Sequence, residues 1–198
     1  MEMTGLRLED EVVLLRPYAP NDVATLYAAA RESIAEVGRW LPWCHADYAL
    51  EEAEAWIGGR KSAWVAGSEY SFAVIDRTSE RMVGGCGLNQ IEPQTLRANL
   101  GYWIRTTDSR RGYATRAARL LARWGVETLK LQRLEIVAAM GNIASQRVAL
   151  KAGAIREGIA RNRIRVNQVQ HDAVIFSIVR EDLLGKRDEI RLAAQHSE

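Results

Sequence analysis

Gly101-Tyr102-Trp103-Ile104, followed by Ser109-Arg110-Arg111-Gly112-Tyr113-Ala114-Thr115, is the stretch on which the chain changes character. Ala98 to Ile104 reads as a strand. Beyond Gly112, Ala117, Leu120, Leu121, Trp124 and Leu129 recur at helical spacing, with Arg116, Arg119 and Arg123 on another stripe. A strand therefore enters a long helix, ending near Leu129, through a glycine-containing loop. Such a loop presents free backbone N–H groups at the positive end of the helix dipole, a geometry that binds phosphate. Gly112 has no side chain to keep the backbone away, and Arg110 and Arg111 add charge-assisted hydrogen bonds. The spacing is not a P-loop, because no Gly-Lys-Ser/Thr follows, nor a dinucleotide fingerprint. A solvated, arginine-flanked helix start is the plainer account of the same residues.

Working outward, the segment before this junction is rich in strands. Tyr70 to Asp76, Met82 to Leu88 and Ala98 to Ile104 are joined by short polar connections and predict an antiparallel meander. Earlier still, Val12 to Pro17 reads as a strand stopped by proline, Asn21 or Asp22 as the cap of a helix to about Ile34, and Glu51 to about Trp64 as a helix. Trp40-Leu41-Pro42-Trp43 is an aromatic knot with a helix breaker inside it. After the junction come a strand from Leu134 to Ala139, a helix from Asn142 to Ala152 stopped by Gly153, and a strand from Asp172 to Ile178. Meander, helix, strand, helix, strand is an α/β arrangement. The expected domain is residues 1–198, with a core over about 12–180 and a charged helical tail over about 181–198.

The 198 residues are 47% hydrophobic and 26% charged, ordinary for a soluble globular protein and against disorder or a fibrous repeat. No apolar run is long enough to span a bilayer, and no signal peptide is seen at Met1 to Gly5. Cys44 and Cys86 lack metal-ligand company, so no metal is expected, and the setting reads as the reducing cytoplasm. Charge is uneven. From Arg105 to Arg165, twelve Arg and two Lys face four acids, a net of +10 in a chain of net +2. That split argues for an anionic ligand, with an arginine-rich solvated surface as the alternative. Gly141-Asn142-Ile143-Ala144-Ser145 opens the next helix, where Asn142 serves as a cap and Ser145 lies one turn on. Both helix starts fall at one edge of the sheet.

Taken in order, Gly101 to Ile104, Arg111 to Thr115, Asn142-x-x-Ser145, Lys151-Ala152-Gly153-Ala154 and Glu157-Gly158 resemble the GCN5-related N-acetyltransferase superfamily. The closer resemblance is to its RimJ/RimL branch, the ribosomal-protein N-terminal acetyltransferases and their relatives; Trp40 to Trp43 and His171-Asp172 share it. The match runs from about Val12 to Arg180. It implies a mixed, strongly twisted sheet flanked by helices and split into a V by two diverging strands, with acetyl-CoA as cosubstrate in the V. By that resemblance, amides from Arg111 through Gly112, Tyr113 and Ala114 to Thr115 hold the pyrophosphate with Arg110. The strand through Trp103, Ile104 and Arg105 pairs with pantetheine, and Asn142 contacts it. Ser145 sits beside the thiol as the catalytic proton donor. Relatives often have Gln or Arg three positions before the central glycine; here Ser109 stands there, and Arg110 or Arg111 must compensate.

The implied reaction moves an acetyl group to a primary amine, such as a protein N-terminus. An α-amine has a pKa of about 7.7–8.0 against about 10.4 for lysine, so a weak base or a water chain suffices for it. No strong general base stands out; Glu92 and His171 are weak candidates. Asn89 and Gln90 are expected at the acceptor, with Trp40, Trp43 and Tyr102 walling its pocket. The branch also implies a homodimer. Rival functions are a non-catalytic acyl-CoA sensor, a transferase using another acyl-CoA such as succinyl-CoA, and nucleic-acid binding, which lacks a recognition motif.

Overall fold

The computed structural model describes residues 5–183. The predicted tail therefore lies, from residue 184 onward, outside the described residues. Eight strands form one sheet: β1 (Leu8–Glu9), β2 (Val13–Pro17), β3 (Tyr70–Asp76), β4 (Met82–Glu92), β5 (Arg97–Ile104), β6 (Arg133–Ala139), β7 (Ile155–Val166) and β8 (Val169–Val179). Their spatial order is β1-β2-β3-β4-β5-β6-β8-β7. The helices are α1 (Val23–Glu32), α2 (Leu50–Ala66), α3 (Tyr113–Glu127) and α4 (Ile143–Ala152). Strands β3, β4 and β5 make the predicted antiparallel meander.

The one parallel contact positions the site. Strand β5 pairs with β6 only from Arg97 to Asn99, opposite Arg133 to Glu135. Beyond that point β5 stays paired with β4 as far as Ile104, and β6 with β8 as far as Ala139. Each outer pair follows its own twist. The inner edges, with nothing between them to hold, diverge into the V that the family resemblance implies.

Period-two alternation sorts the sheet's side chains into two cores. Phe72, Val74, Cys86, Leu88, Ala98 and Leu100 pack with Ala117, Leu121 and Trp124 of α3. Ala73 and Ile75 lie on the opposite face with Leu26 of α1 and Ala53 and Ile57 of α2. Trp64, at the end of α2, crosses to the first core, where its ring and that of Trp124 stand 5.9 Å apart. The helix repeat of α3 explains its burial: Ala117, Leu121 and Trp124 face inward while Arg116 and Arg123 do not.

Two local expectations are corrected. Asp22 precedes α1 but caps it with no side-chain bond. Its carboxylate instead accepts from Ala19 N–H (2.8 Å) and from Arg16 (2.6 and 2.7 Å), tying β2 to the turn before the helix. Strand β7 was not anticipated. Most of its twelve residues are exposed, as suits an edge strand with β8 as its one neighbour, so no alternation marks it.

Candidate active site

At the open end of the V, α3 begins without a side-chain cap. Gly112 has φ +87°, and a Cβ placed there would meet nothing within 4 Å. Glycine is thus required by the left-handed backbone and leaves open space in front of the helix. Arg110 is also left-handed, at φ +63°. The first-turn amides have no intrahelical acceptor by helix geometry, so this end offers donors to an anion. The two arginines differ. Arg111 pairs with the buried Asp108 (3.3 Å), which Arg81 also binds, and its guanidinium lies 5.7 Å from the Tyr113 ring. Arg110 enters no ion pair or hydrogen bond among the described residues, so of these two arginines it is the one free to meet an anion.

Part of the basic excess seen in the sequence is spent inside the molecule. Arg116 binds Asp10 (2.9 Å) and Glu11 (2.5 Å), and Arg133 binds Glu157 (2.5 and 2.7 Å) and Glu135 (2.9 Å). Hydrogen bonds from Arg133, then from Ser177, hold the Glu157 carboxyl down at about 2. Arg105 binds Glu32 of α1 through Nε (3.1 Å) and Nη2, which with Thr107 brings Glu32 to about 2 despite partial burial.

Arg105 has a further commitment: its backbone N–H donates to Val83 O at 2.9 Å. In an antiparallel ladder alternate residues share that orientation, so Trp103 also turns its amide toward β4. Ile104 and Tyr102 turn theirs toward the split. Of the three predicted pantetheine-pairing residues, Ile104 is the one whose N–H faces the V.

Helix α4 starts across the split. Asn142 Oδ1 accepts the Ser145 N–H at 3.0 Å, so Asn142 is a working N-cap. Its Nδ2 keeps its donors for another partner. Tyr102 reaches this helix from β5: its hydroxyl donates to Ser145 O (2.9 Å) and lies 3.2 Å from Ser145 Oγ. Burial pushes the Tyr102 phenol up to about 12, against a smaller opposing pull from the Ser145 hydrogen bond. Tyr102 is thus brought to Ser145, on the face of β5 opposite Trp103 and the Trp43 ring that meets it. Adjacent strand residues face opposite ways: Tyr102 packs on the first core and Trp103 on the second.

The aromatic knot between α1 and α2 spans both arms of the V. Trp43 meets Trp103 of β5 edge-on at 5.3 Å. Trp40 lies against Gly141, where a Cβ would come within 3.0 Å of its ring. Asn167, in the β7–β8 turn, donates to Gly38 O at 3.5 Å. Asn89 accepts from Asn99 Nδ2 at 2.9 Å on the Trp103 side of the sheet; Gln90, left-handed at φ +49°, is exposed beside it. Asn99, Asn167 and Glu32 did not emerge from the sequence. For Asn99 the two-residue step to Gly101 and Trp103 was an available signal, whereas Asn167 and Glu32 are reached only through tertiary contact.

Of the weak base candidates, Glu92 is committed to other partners. Glu92 is bound by Thr95 (2.6 Å) and Arg97 (3.0 and 3.2 Å), which hold its carboxyl below the usual range. His171 stands opposite Ile164 in the β7–β8 ladder. Burial pushes the Cys86 thiol far up, so it stays protonated and inert. Among the described residues no cluster of His, Cys, Asp and Glu could hold a metal ion, and no helix is long and apolar enough to cross a membrane.

Comparison with known proteins agrees with this fold. Residues 13–155 match the acetyltransferase (GNAT) domain family. The chain is 34% identical over 115 residues to the "Probable N-acetyltransferase YjcK" of Bacillus subtilis, covering 58% of this chain and 64% of that protein. It is 23% identical over 175 residues to the ribosomal-protein-serine acetyltransferase of Escherichia coli, covering 88% and 97%. The fold matches that of RimL, a ribosomal L7/L12 α-N-protein acetyltransferase solved with coenzyme A, at a TM-score of 0.81 and 20% identity over 88% of this chain and 98% of that one. The chain belongs to the GNAT acetyltransferase family.

Proposed function

We propose that this protein transfers the acetyl group of acetyl-CoA to a free α-amine at the N-terminus of a polypeptide. The observation that carries this is the split between β5 and β6, with an uncapped, glycine-led helix start on one side and Asn142 and Ser145 on the other. The residues fit CoA. Amides of Gly112 to Thr115 and the unpaired Arg110 suit a pyrophosphate, and Ile104 N–H and Asn142 Nδ2 suit the amides of a pantetheine arm. Acetyl-CoA supplies an activated acyl group. The Tyr102 and Ile104 N–H groups face the side from which a carbonyl oxygen would gain stabilisation as its charge grows. Ser145 donates a proton, or a hydrogen bond, to the leaving sulfur.

The acceptor approaches from the Trp103 face, between Trp43, Trp40 and the Asn89–Asn99 pair. With Glu92 tied up, the amine loses its proton to water. At neutral pH that costs about 0.5–1.5 kcal/mol for an α-amine and about 4–5 for lysine, which favours N-terminal acceptors. The Escherichia coli relative is a ribosomal-protein-serine acetyltransferase, which makes serine the first acceptor residue to try. We place the reaction in the cytoplasm and expect a homodimer, which sedimentation would check.

The test is single-turnover mass spectrometry with acetyl-CoA and short peptides bearing free N-terminal serine, alanine or blocked termini. Addition of one acetyl group to free termini alone is the expected result. CoA binding without transfer to any amine would make the protein an acyl-CoA sensor.

A further inference from the structure

We propose that Tyr102 is a positioning residue whose hydroxyl, reaching across the β5–β6 split, holds Ser145 Oγ in place at the start of α4. The inference rests on the proposed role of Ser145 and assigns a partner to it.

Three observations carry it. Strand pairing between the two arms ends at Asn99 and Glu135, so beyond that level the β5–β6 ladder no longer ties them together. Tyr102 lies three residues further on and crosses to the other arm. There it meets both the carbonyl oxygen (2.9 Å) and the hydroxyl (3.2 Å) of the same residue, Ser145. Finally, its ring packs against the first core, so the hydroxyl is delivered from a fixed base.

The hydrogen bonds balance. A phenol carries one proton and can also accept. Donation to Ser145 O leaves a Tyr102 lone pair to accept the Ser145 O–H, and Ser145 Oγ is held between Tyr102 and the space beyond. When a sulfur offers itself as acceptor, Ser145 turns its O–H toward it. The Tyr102 proton then shifts its donation from Ser145 O to Oγ, so Oγ does not go unsupported as it gives up its own hydrogen bond. No bond other than hydrogen bonds forms or breaks on Tyr102. A phenol suits this because burial keeps it protonated across the working pH range.

A double-mutant cycle with acetyl-CoA and an N-terminal-serine peptide tests the coupling. Tyr102→Phe keeps the ring and removes the hydroxyl. Its kcat should fall about tenfold while KM for acetyl-CoA stays within about twofold, because Tyr102 acts through a group that serves the chemical step. In a Ser145→Ala background, Tyr102→Phe should cost nothing more. An equal tenfold loss in both backgrounds overturns the proposal and leaves the role of Ser145 standing. A harmless Ser145→Ala removes the underlying role itself, so the two failures are distinguishable. Should Tyr102→Phe fail to fold, difluorotyrosine at position 102 keeps ring and hydroxyl but lowers the phenol pKa. Turnover should then gain a loss on the alkaline side that the natural protein lacks, and an unchanged pH profile counts against the proposal.

Discussion

Helices α3 and α4 begin at the same end of the sheet, and their starts are built in opposite ways. The start of α4 is closed on itself, with Asn142 Oδ1 holding the Ser145 N–H and Tyr102 holding the Ser145 side chain. The start of α3 is open: a left-handed glycine, no side-chain cap and a neighbouring arginine without a partner. A closed start fixes one hydroxyl in place, as chemistry requires. An open start leaves backbone donors for a ligand to satisfy. Under the proposed function, the contrast assigns the catalytic hydroxyl to one start and the phosphate contacts to the other, in two elements that look alike in sequence.

The largest effect should come at the closed start. Ser145→Ala should slow acetyl transfer about 10²-fold, within the span expected of general acid assistance, while CoA affinity and thermal stability hold. A loss under about threefold would reduce Ser145 to a structural residue. At the open start the loss should fall on binding. Gly112→Val forces a branched side chain into φ +87°, where L-residues pay about 1–2 kcal/mol, and fills the space before the amides. CoA should bind at least tenfold more weakly, about 1.4 kcal/mol, by calorimetry on folded protein. Equal affinity in the variant would break the comparison.

Asn142 sharpens it further, since its two side-chain atoms have separate duties. Asn142→Ala should cost about 1 kcal/mol of stability, the usual value of an N-cap. Asn142→Asp keeps the capping oxygen and should restore stability but not CoA affinity. Recovery of both would mean that Nδ2 contributes nothing to the ligand.

The smallest effect concerns what holds the β5 arm. The Arg105–Glu32 pair lowers the Glu32 carboxyl from an ordinary 4.5 to about 2. A depressed folded-state pKa adds stability above the unfolded value and loses it as pH falls through the folded one. Glu32→Gln should therefore be less stable than the natural protein at neutral pH. The gap, read from urea midpoints, should close between pH 4.5 and about 2. A gap independent of pH would show that the pair adds no charge-linked stability.

How much of this was legible in one dimension varied by element. Strands β5 and β6 and helices α3 and α4 were readable because burial on one face imposes a period of two or 3.6 on the apolar residues, whereas β3 and the first half of β4, buried on both faces, read as short apolar runs bounded by turn residues. Strand β7 was not, because an edge strand exposed on both faces carries no such imprint. Strand alternation already separates Tyr102 from Trp103 in the sequence, but does not name the partner that Tyr102 reaches. Ser145 was found through motif order, and its tie to Tyr102 was not, since 43 residues separate them.

By itself the sequence determined most of the strands and helices, though not β7, where glycine must stand at the start of α3, and which family order the motifs follow. Those are local properties, set by backbone conformation and by the spacing of apolar side chains along the chain. Tertiary structure alone decided which of the two arginines before α3 remains unpaired, which amides of β5 face the split, and that one tyrosine spans it. Charge pairs and hydrogen bonds form between whichever groups folding brings within reach, and a chain read in order carries no record of those distances.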